Sequence, residues 1–167
     1  RYNMGNSLMI ACAKLGMHFT ACTSKEYFPD AALVAECEEY AKQSGASITL
    51  TEDVDAGTKK ADVIYTDVWV SMGEPEGVWE ERIAKLSPYK VTKAVMDNAG
   101  EQSIFLHCLP AFHDLKTKIG KEQGEKYHFT ELEVTDEVFE SKQSLVFDEA
   151  ENRMHTIKAV IAATLGA

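Results

Sequence analysis

Positive charge is what this chain is short of: 17 Lys and Arg stand against 27 Asp and Glu, a net charge of −10 over 167 residues. Phosphate backbones and anionic membrane surfaces are bound by clustered Lys and Arg, so neither a nucleic acid nor a membrane is an expected partner. No apolar run approaches the ~20 residues that a membrane-spanning helix needs. The four cysteines, Cys12, Cys22, Cys37 and Cys108, form no Cys-x-x-Cys pair. Three of them sit in apolar patterns, where a buried free thiol is the plain reading, and a reducing compartment follows as the expectation. No Gly-x-Gly-x-x-Gly follows any predicted strand, which argues against a nucleotide-binding dehydrogenase domain. Internal repeats and low-complexity tracts are absent, the sequence as given starts without a methionine, and no signal peptide is expected in it.

What is present is a chain of one domain's length, 45% hydrophobic. Residues 1–6 (RYNMGN) read as a loop that opens the helix SLMIACAKLG, closed by Gly16. A loop of this kind usually follows a strand, and the chain is expected to be a piece of a longer protein whose first strand lies upstream. Strand and helix then alternate. Strands are predicted at 18–23, 47–53, 61–70, 103–109 and 144–147. Helices are predicted from Asp30, as N-cap, to Gly45, at about 54–60, 76–86 and 91–99, and over 148–166. Residues 115–132 are polar and undecided. This alternation predicts an α/β fold, a three-layer Rossmann-like domain with a central, mostly parallel sheet flanked by helices.

In such sheets ligands bind beyond the carboxyl ends of the strands. Four segments should meet there. Asn3, Asn6 and Ser7 stand at a helix N-terminus, suited to an anion or simply to capping. Asp67 leaves the third strand in DVWVSMGE, placed either to hold an ammonium group or to cap a turn. Asp148, Glu149 and Glu151 suit the start of the last helix. Arg153 there opposes the helix dipole, so it either holds an anion or pairs with a glutamate.

The fourth segment is HCLPAFHD, residues 107–114. A zinc site would want a further Cys or His pair at ligand spacing, and His18, His128 and His155 are isolated; no metal is expected. His107 and Cys108 are neighbours on an extended strand, so their side chains point to opposite faces and make a poor nucleophile–base pair. Leu109-Pro110 suggests a fixed backbone, with a cis bond as one option. A lone cysteine here is more often core than catalytic. Together the segments offer an acid, a thiol, a cation and an amide, which suits a zwitterionic amino acid without naming a reaction.

The stretches NMGNS (3–7), DVWVSMGE (67–74), HCLPAFHD (107–114), EVTDEVFES (133–141) and DEAENRMHTIKAV (148–160), in this order, resemble the ornithine-binding half of the aspartate/ornithine carbamoyltransferase family, and within it the ornithine carbamoyltransferases. The phosphate loop of the family's other half is not in this sequence. The resemblance implies transfer of a carbamoyl group from carbamoyl phosphate to the δ-amine of L-ornithine, giving citrulline and phosphate without metal or cofactor. Asn3, Asp67, Ser71 and Met72 would then hold the α-amino and α-carboxylate groups. Cys108 and the backbone of Leu109 would face the amine and accept its proton. His107, Cys108, Leu109 and Arg153 would contact carbamoyl phosphate. Cys108, Asp67 and Arg153 are the expected catalytic set. Tyr2 stands where many members carry Asn.

The same resemblance implies an ornithine-binding domain over residues 1–150 and a helix over 151–167 that crosses to the carbamoyl-phosphate domain. Met154, Ile157, Ile161 and Leu165 would form its apolar stripe. It further implies a homotrimer, or a multiple of trimers, in the full-length protein. The expected location is the cytoplasm, or the mitochondrial matrix in a eukaryote, with the isolated chain inactive. Two other readings stand beside this one: a relative acting on putrescine or an acylated ornithine, and a non-catalytic interaction domain.

Overall fold

A computed structural model describes residues 3–71 and 74–166. The chain divides into two compact units, one running to Lys59 and one from Lys60 onward. Both are built of parallel strands flanked by helices, the α/β class that the alternation predicts.

In the first unit, helix α1 (Asn3–Leu15) packs on α2 (Ala31–Ser44). Met9, Ala13, Cys37 and Ala41 interlock between them, with Ile10, Phe19, Leu33, Val34 and Ile48 around the edge. The ends of α2 follow from local chemistry. Asp30 accepts the Ala32 N–H at 2.9 Å, and Gly45 closes the helix at φ 85°, a left-handed conformation that costs glycine little. Strands β1 (Phe19–Cys22) and β2 (Ile48–Thr51) pair in parallel, Phe19 opposite Ile48, and lead into the short helix α3 (Val54–Thr58). Residues 3–6 are already helical, so the loop expected over residues 1–6 is corrected there, and Arg1 and Tyr2 lie outside the described residues. Cys37 is buried and Cys12 and Cys22 are half-buried, all as free thiols.

In the second unit, β3 (Val63–Thr66) and β4 (Ile104–His107) pair in parallel, Val63 opposite Ile104 and Thr66 opposite His107. Their core is Ile64, Phe105, Val91, Met96, Val134, Val138, Phe139 and Val146. Helices α4 (Trp79–Leu86), α5 (Lys93–Ala99), α6 (Lys118–Tyr127), α7 (Asp136–Phe139) and α8 (Val146–Leu165) complete the unit.

Two expectations are corrected here. The strand expected at 144–147 is a single parallel bridge, Ser144 to Phe105, after which α8 begins at Val146. The strand expected over 61–70 ends at Thr66, because its partner β4 ends opposite it at His107. The undecided segment 115–132 contains α6. Its buried face is made of Gly120 and Gly124, so it shows no apolar period. A Cβ on Gly124 would stand 2.5 Å from the Leu115 side chain and 2.7 Å from the Phe129 carbonyl oxygen.

Candidate functional site

The register of the second sheet brings two chemical groups together. Thr66 pairs with His107, so the next residue on each strand, Asp67 and Cys108, emerges side by side. The Cys108 thiol donates to Asp67 Oδ1 at 2.9 Å. The same oxygen accepts the Val68 N–H at 2.7 Å. Burial, the hydrogen bond to Asp67 and the charges of Asp67 and Glu149 push the thiol up to about 12. The sulfur is therefore a protonated donor to Asp67 in the resting site.

A measurable pH dependence follows. The ordinary thiol value is 9.0. The native state keeps a proton that the unfolded chain releases between about pH 9 and 12, so its stabilising effect is complete below that window and fades across it. Alkylation of Cys108, read from its peptide by mass spectrometry, should climb about tenfold per pH unit from pH ~8 to ~10 without levelling off, since the thiolate is the nucleophile. A plateau near pH 9 would remove the Asp67 bond from the account.

Tyr65 stands on β3 beside Cys108 and Glu149. Its hydroxyl is buried, and burial first, then its interactions with Cys108 and Glu149, drive its pKa far upward. After Asp67 the chain turns inward, with Trp69 and Val70 buried. This turn is clamped. Arg82 donates to the Trp69 carbonyl at 2.7 Å and to Glu74 Oε1 at 2.8 Å, while Glu74 Oε2 accepts the Ser71 N–H at 2.8 Å. Ser71 is exposed, and Met72 lies outside the described residues.

His107 goes the other way from Cys108, as strand alternation requires. Its ring is 1% exposed. Nδ1 lies 2.8 Å from the Cys108 carbonyl oxygen and Nε2 lies 3.1 Å from Glu133 Oε1. The ring is thus spent on interior partners and is not presented to a ligand in this structure. The His107 N–H donates to Glu149 Oε2 at 3.1 Å, tying β4 to the first turn of α8. Leu109, joined to Pro110 by a cis bond, is 38% exposed beside the thiol.

Two further expected residues are exposed. Asn3 belongs to the first unit, where it is exposed and its side chain accepts the Met4 N–H at 2.9 Å. Arg153 is exposed on α8. That helix starts at Val146, so Arg153 lies about two turns in and the argument from an unfavourable dipole end fails. Among the described residues, one group meets metal-ligand spacing: His113, Asp136 and Glu140. His113 Nδ1 already pairs with Asp136 at 2.8 Å, and its ring stacks on Phe139 at 3.6 Å.

Sequence reasoning missed Tyr65, Glu74, Arg82 and Glu133. Glu74 was readable as the acid closing DVWVSMGE. Glu133 had no local signal, because its partners lie 21 and 26 residues upstream.

Residues 1–164 match the family model for aspartate/ornithine carbamoyltransferase, Asp/Orn binding domain. The catabolic ornithine carbamoyltransferase of Treponema denticola is 65% identical over 165 residues, 99% of this chain and 49% of that protein. Among solved structures, ornithine carbamoyltransferase from Pyrococcus furiosus aligns at 41% identity with a TM-score of 0.78, covering 94% of this chain and 44% of that one. The anabolic enzyme of Campylobacter jejuni aligns at 31% identity with a TM-score of 0.81, covering 99% and 48%. The chain spans about half the length of the curated relative it matches.

Proposed function

The chain belongs to the aspartate/ornithine carbamoyltransferase family, as its Asp/Orn binding domain, and from that premise we propose that it is the amino-acid-binding half of an ornithine carbamoyltransferase. The observation that carries the reading is the Cys108–Asp67 contact at the carboxyl ends of two parallel strands, inside the two motifs most specific to the resemblance. The similarity to the Treponema denticola protein supports ornithine over another amine as the acceptor.

In the proposed reaction the δ-nitrogen lone pair attacks the carbonyl carbon of carbamoyl phosphate. The C–O bond to phosphate breaks, phosphate leaves with the electron pair, and the nitrogen sheds a proton. The amine must first be neutral. A lysine-like ammonium has a pKa of about 10.4, so freeing the amine near neutral pH costs about 4–5 kcal/mol. Asp67 is assigned to the α-ammonium, with Ser71, Met72 and Asn3 completing the grip on the amino acid. Cys108 and the Leu109 backbone orient the δ-amine. A half-buried thiol serves this better than a second carboxylate, which would favour the charged, unreactive ammonium. Arg153 is assigned to the carbamoyl phosphate side, where a cation stabilises charge developing on the carbonyl and the departing phosphate.

By the same reading, the full-length protein is a trimer or a multiple of trimers, and α8 packs on the carbamoyl-phosphate domain. Supporting the second point, Met154, Ile157, Ile161 and Leu165 of α8 are 54%, 45%, 52% and 78% exposed. The cytoplasm is the proposed location.

The test is citrulline formation by the full-length protein from carbamoyl phosphate and L-ornithine, with putrescine and N-acetyl-L-ornithine as parallel acceptors. Citrulline from ornithine alone is expected. Product only from another amine would overturn the assignment of the Asp67 turn, and no product at all would overturn the enzymatic reading.

A further inference from the structure

We propose that Glu133 is a positioning residue for Cys108 and Leu109, acting through His107. This role rests on the carbamoyltransferase reading above. Cys108 and Leu109 lie on a short excursion between the end of β4 and Phe112. One oxygen holds both ends of it. Glu133 Oε1 meets His107 Nε2 at 3.1 Å and accepts the Phe112 N–H at 2.7 Å. Glu133 is 0% exposed.

The proton count explains why a carboxyl group is required. His107 Nδ1 faces the Cys108 carbonyl, which only accepts, so Nδ1 carries a hydrogen. Nε2 then shares a single proton with Glu133 Oε1, either as imidazolium with carboxylate or as imidazole with carboxylic acid. Both arrangements are neutral overall and both leave that oxygen able to accept from Phe112. Glutamine has the same shape but cannot do this. With its oxygen at that point, His107 must become a buried cation without a counter-charge. With its nitrogen there, it faces the Phe112 N–H donor to donor.

Stability alone does not account for the arrangement. Buried ion pairs are often matched or exceeded in stability by packed apolar side chains. Glu133 also leaves Oε2 buried with no partner among the described residues, which is a cost. The backbone around Glu133 is fixed without its side chain. The Val91 N–H donates to the Glu133 carbonyl at 2.9 Å, the Leu132 N–H donates to the Phe112 carbonyl at 2.7 Å, and Leu132 and Val134 are buried. The side chain can therefore be altered while the segment keeps its place.

The experiment compares Glu133→Gln, His107→Asn and the double variant in the full-length protein. The asparagine amide reaches the place of Nδ1 and keeps the bond to the Cys108 carbonyl, cutting only the link to Glu133. Each single variant is expected to lower kcat about 100-fold, the loss a ~1 Å displacement of a reacting group can cause. KM for L-ornithine should move less than about threefold, because Asp67 and Ser71 are untouched. The double variant should lose no more than either single one, since both break the same link. Alkylation of Cys108 at fixed pH should rise about tenfold as the thiol leaves Asp67, the effect of one unit in its pKa. Unchanged kcat would overturn the proposal. So would a kcat loss that merely tracks a loss of folded protein by circular dichroism, or unchanged alkylation of Cys108. If the parent makes no citrulline, the carbamoyltransferase reading fails by itself, while the alkylation arm still reports whether Glu133 holds the thiol in place.

Discussion

Asp67→Asn is expected to raise KM for L-ornithine by about two orders of magnitude while the protein stays folded. The substitution removes a charge and keeps a shape. Asparagine still offers an oxygen to the Val68 N–H and the Cys108 thiol, which the native Asp67 Oδ1 binds at 2.7 and 2.9 Å. The local turn also keeps its independent clamp of Arg82 and Glu74. What is lost is the charge that the proposed function assigns to the substrate's ammonium. Truncating one member of a desolvated charge pair costs about 2–5 kcal/mol, and each 1.4 kcal/mol is tenfold in affinity. Initial rates of citrulline formation across ornithine concentrations, at saturating carbamoyl phosphate, would show the change in KM with a melting temperature within a few degrees of the parent. An unchanged KM would take Asp67 out of ornithine binding, and a collapsed melting temperature would assign it to the fold instead.

Where the chemistry is local, the sequence was legible. The Asp30 cap and the Gly45 terminator bound α2 where a short side-chain acceptor and a left-handed glycine must stand. The pleat separates His107 from Cys108 as neighbours on a strand must be separated. Legibility failed where the signal depends on distant partners. Leu145, Val146 and Phe147 form a short apolar run after Ser144 that fits a strand or a helix equally, and the winding of α8 from Val146 decides it. The helix α6 hides its buried face in glycines, which carry no hydrophobic period. In the candidate site, the positions of Asp67 and Cys108 just past two strand ends were readable, whereas their assignment to an amino acid came only from the motifs DVWVSMGE and HCLPAFHD. Glu133 was not, because nothing in its neighbourhood announces that it binds His107 and Phe112. Arg153 shows the opposite failure: a plausible electrostatic argument rested on a helix start that was misplaced by two residues.

Cys108→Ala is expected to lower kcat about 100-fold, within the 10²–10⁴ range for a positioned group that orients or moves a proton, at a stability cost of about 1 kcal/mol. Cys108→Ser separates the two ways in which the thiol can act. The native thiol is pushed up to about 12 by burial and by Asp67, and it donates to that carboxylate. Near neutral pH the thiolate is then a minute fraction of the protein. A sulfur that works by orienting the amine through hydrogen bonds has a fair substitute in a hydroxyl, which has one donor and two acceptor lone pairs. A sulfur that works as a thiolate base has none, because an aliphatic hydroxyl ionises far less readily than a thiol. The geometry therefore predicts that serine recovers a substantial part of what alanine loses, at every pH where the protein is folded. Serine as slow as alanine, with a parent rate that rises along the titration of a single group above pH ~9, would mean that substrate binding releases the thiol from Asp67 and lowers its pKa into the working range. The resting hydrogen bond would then be a guard on the nucleophile's base rather than the bond that aims the amine.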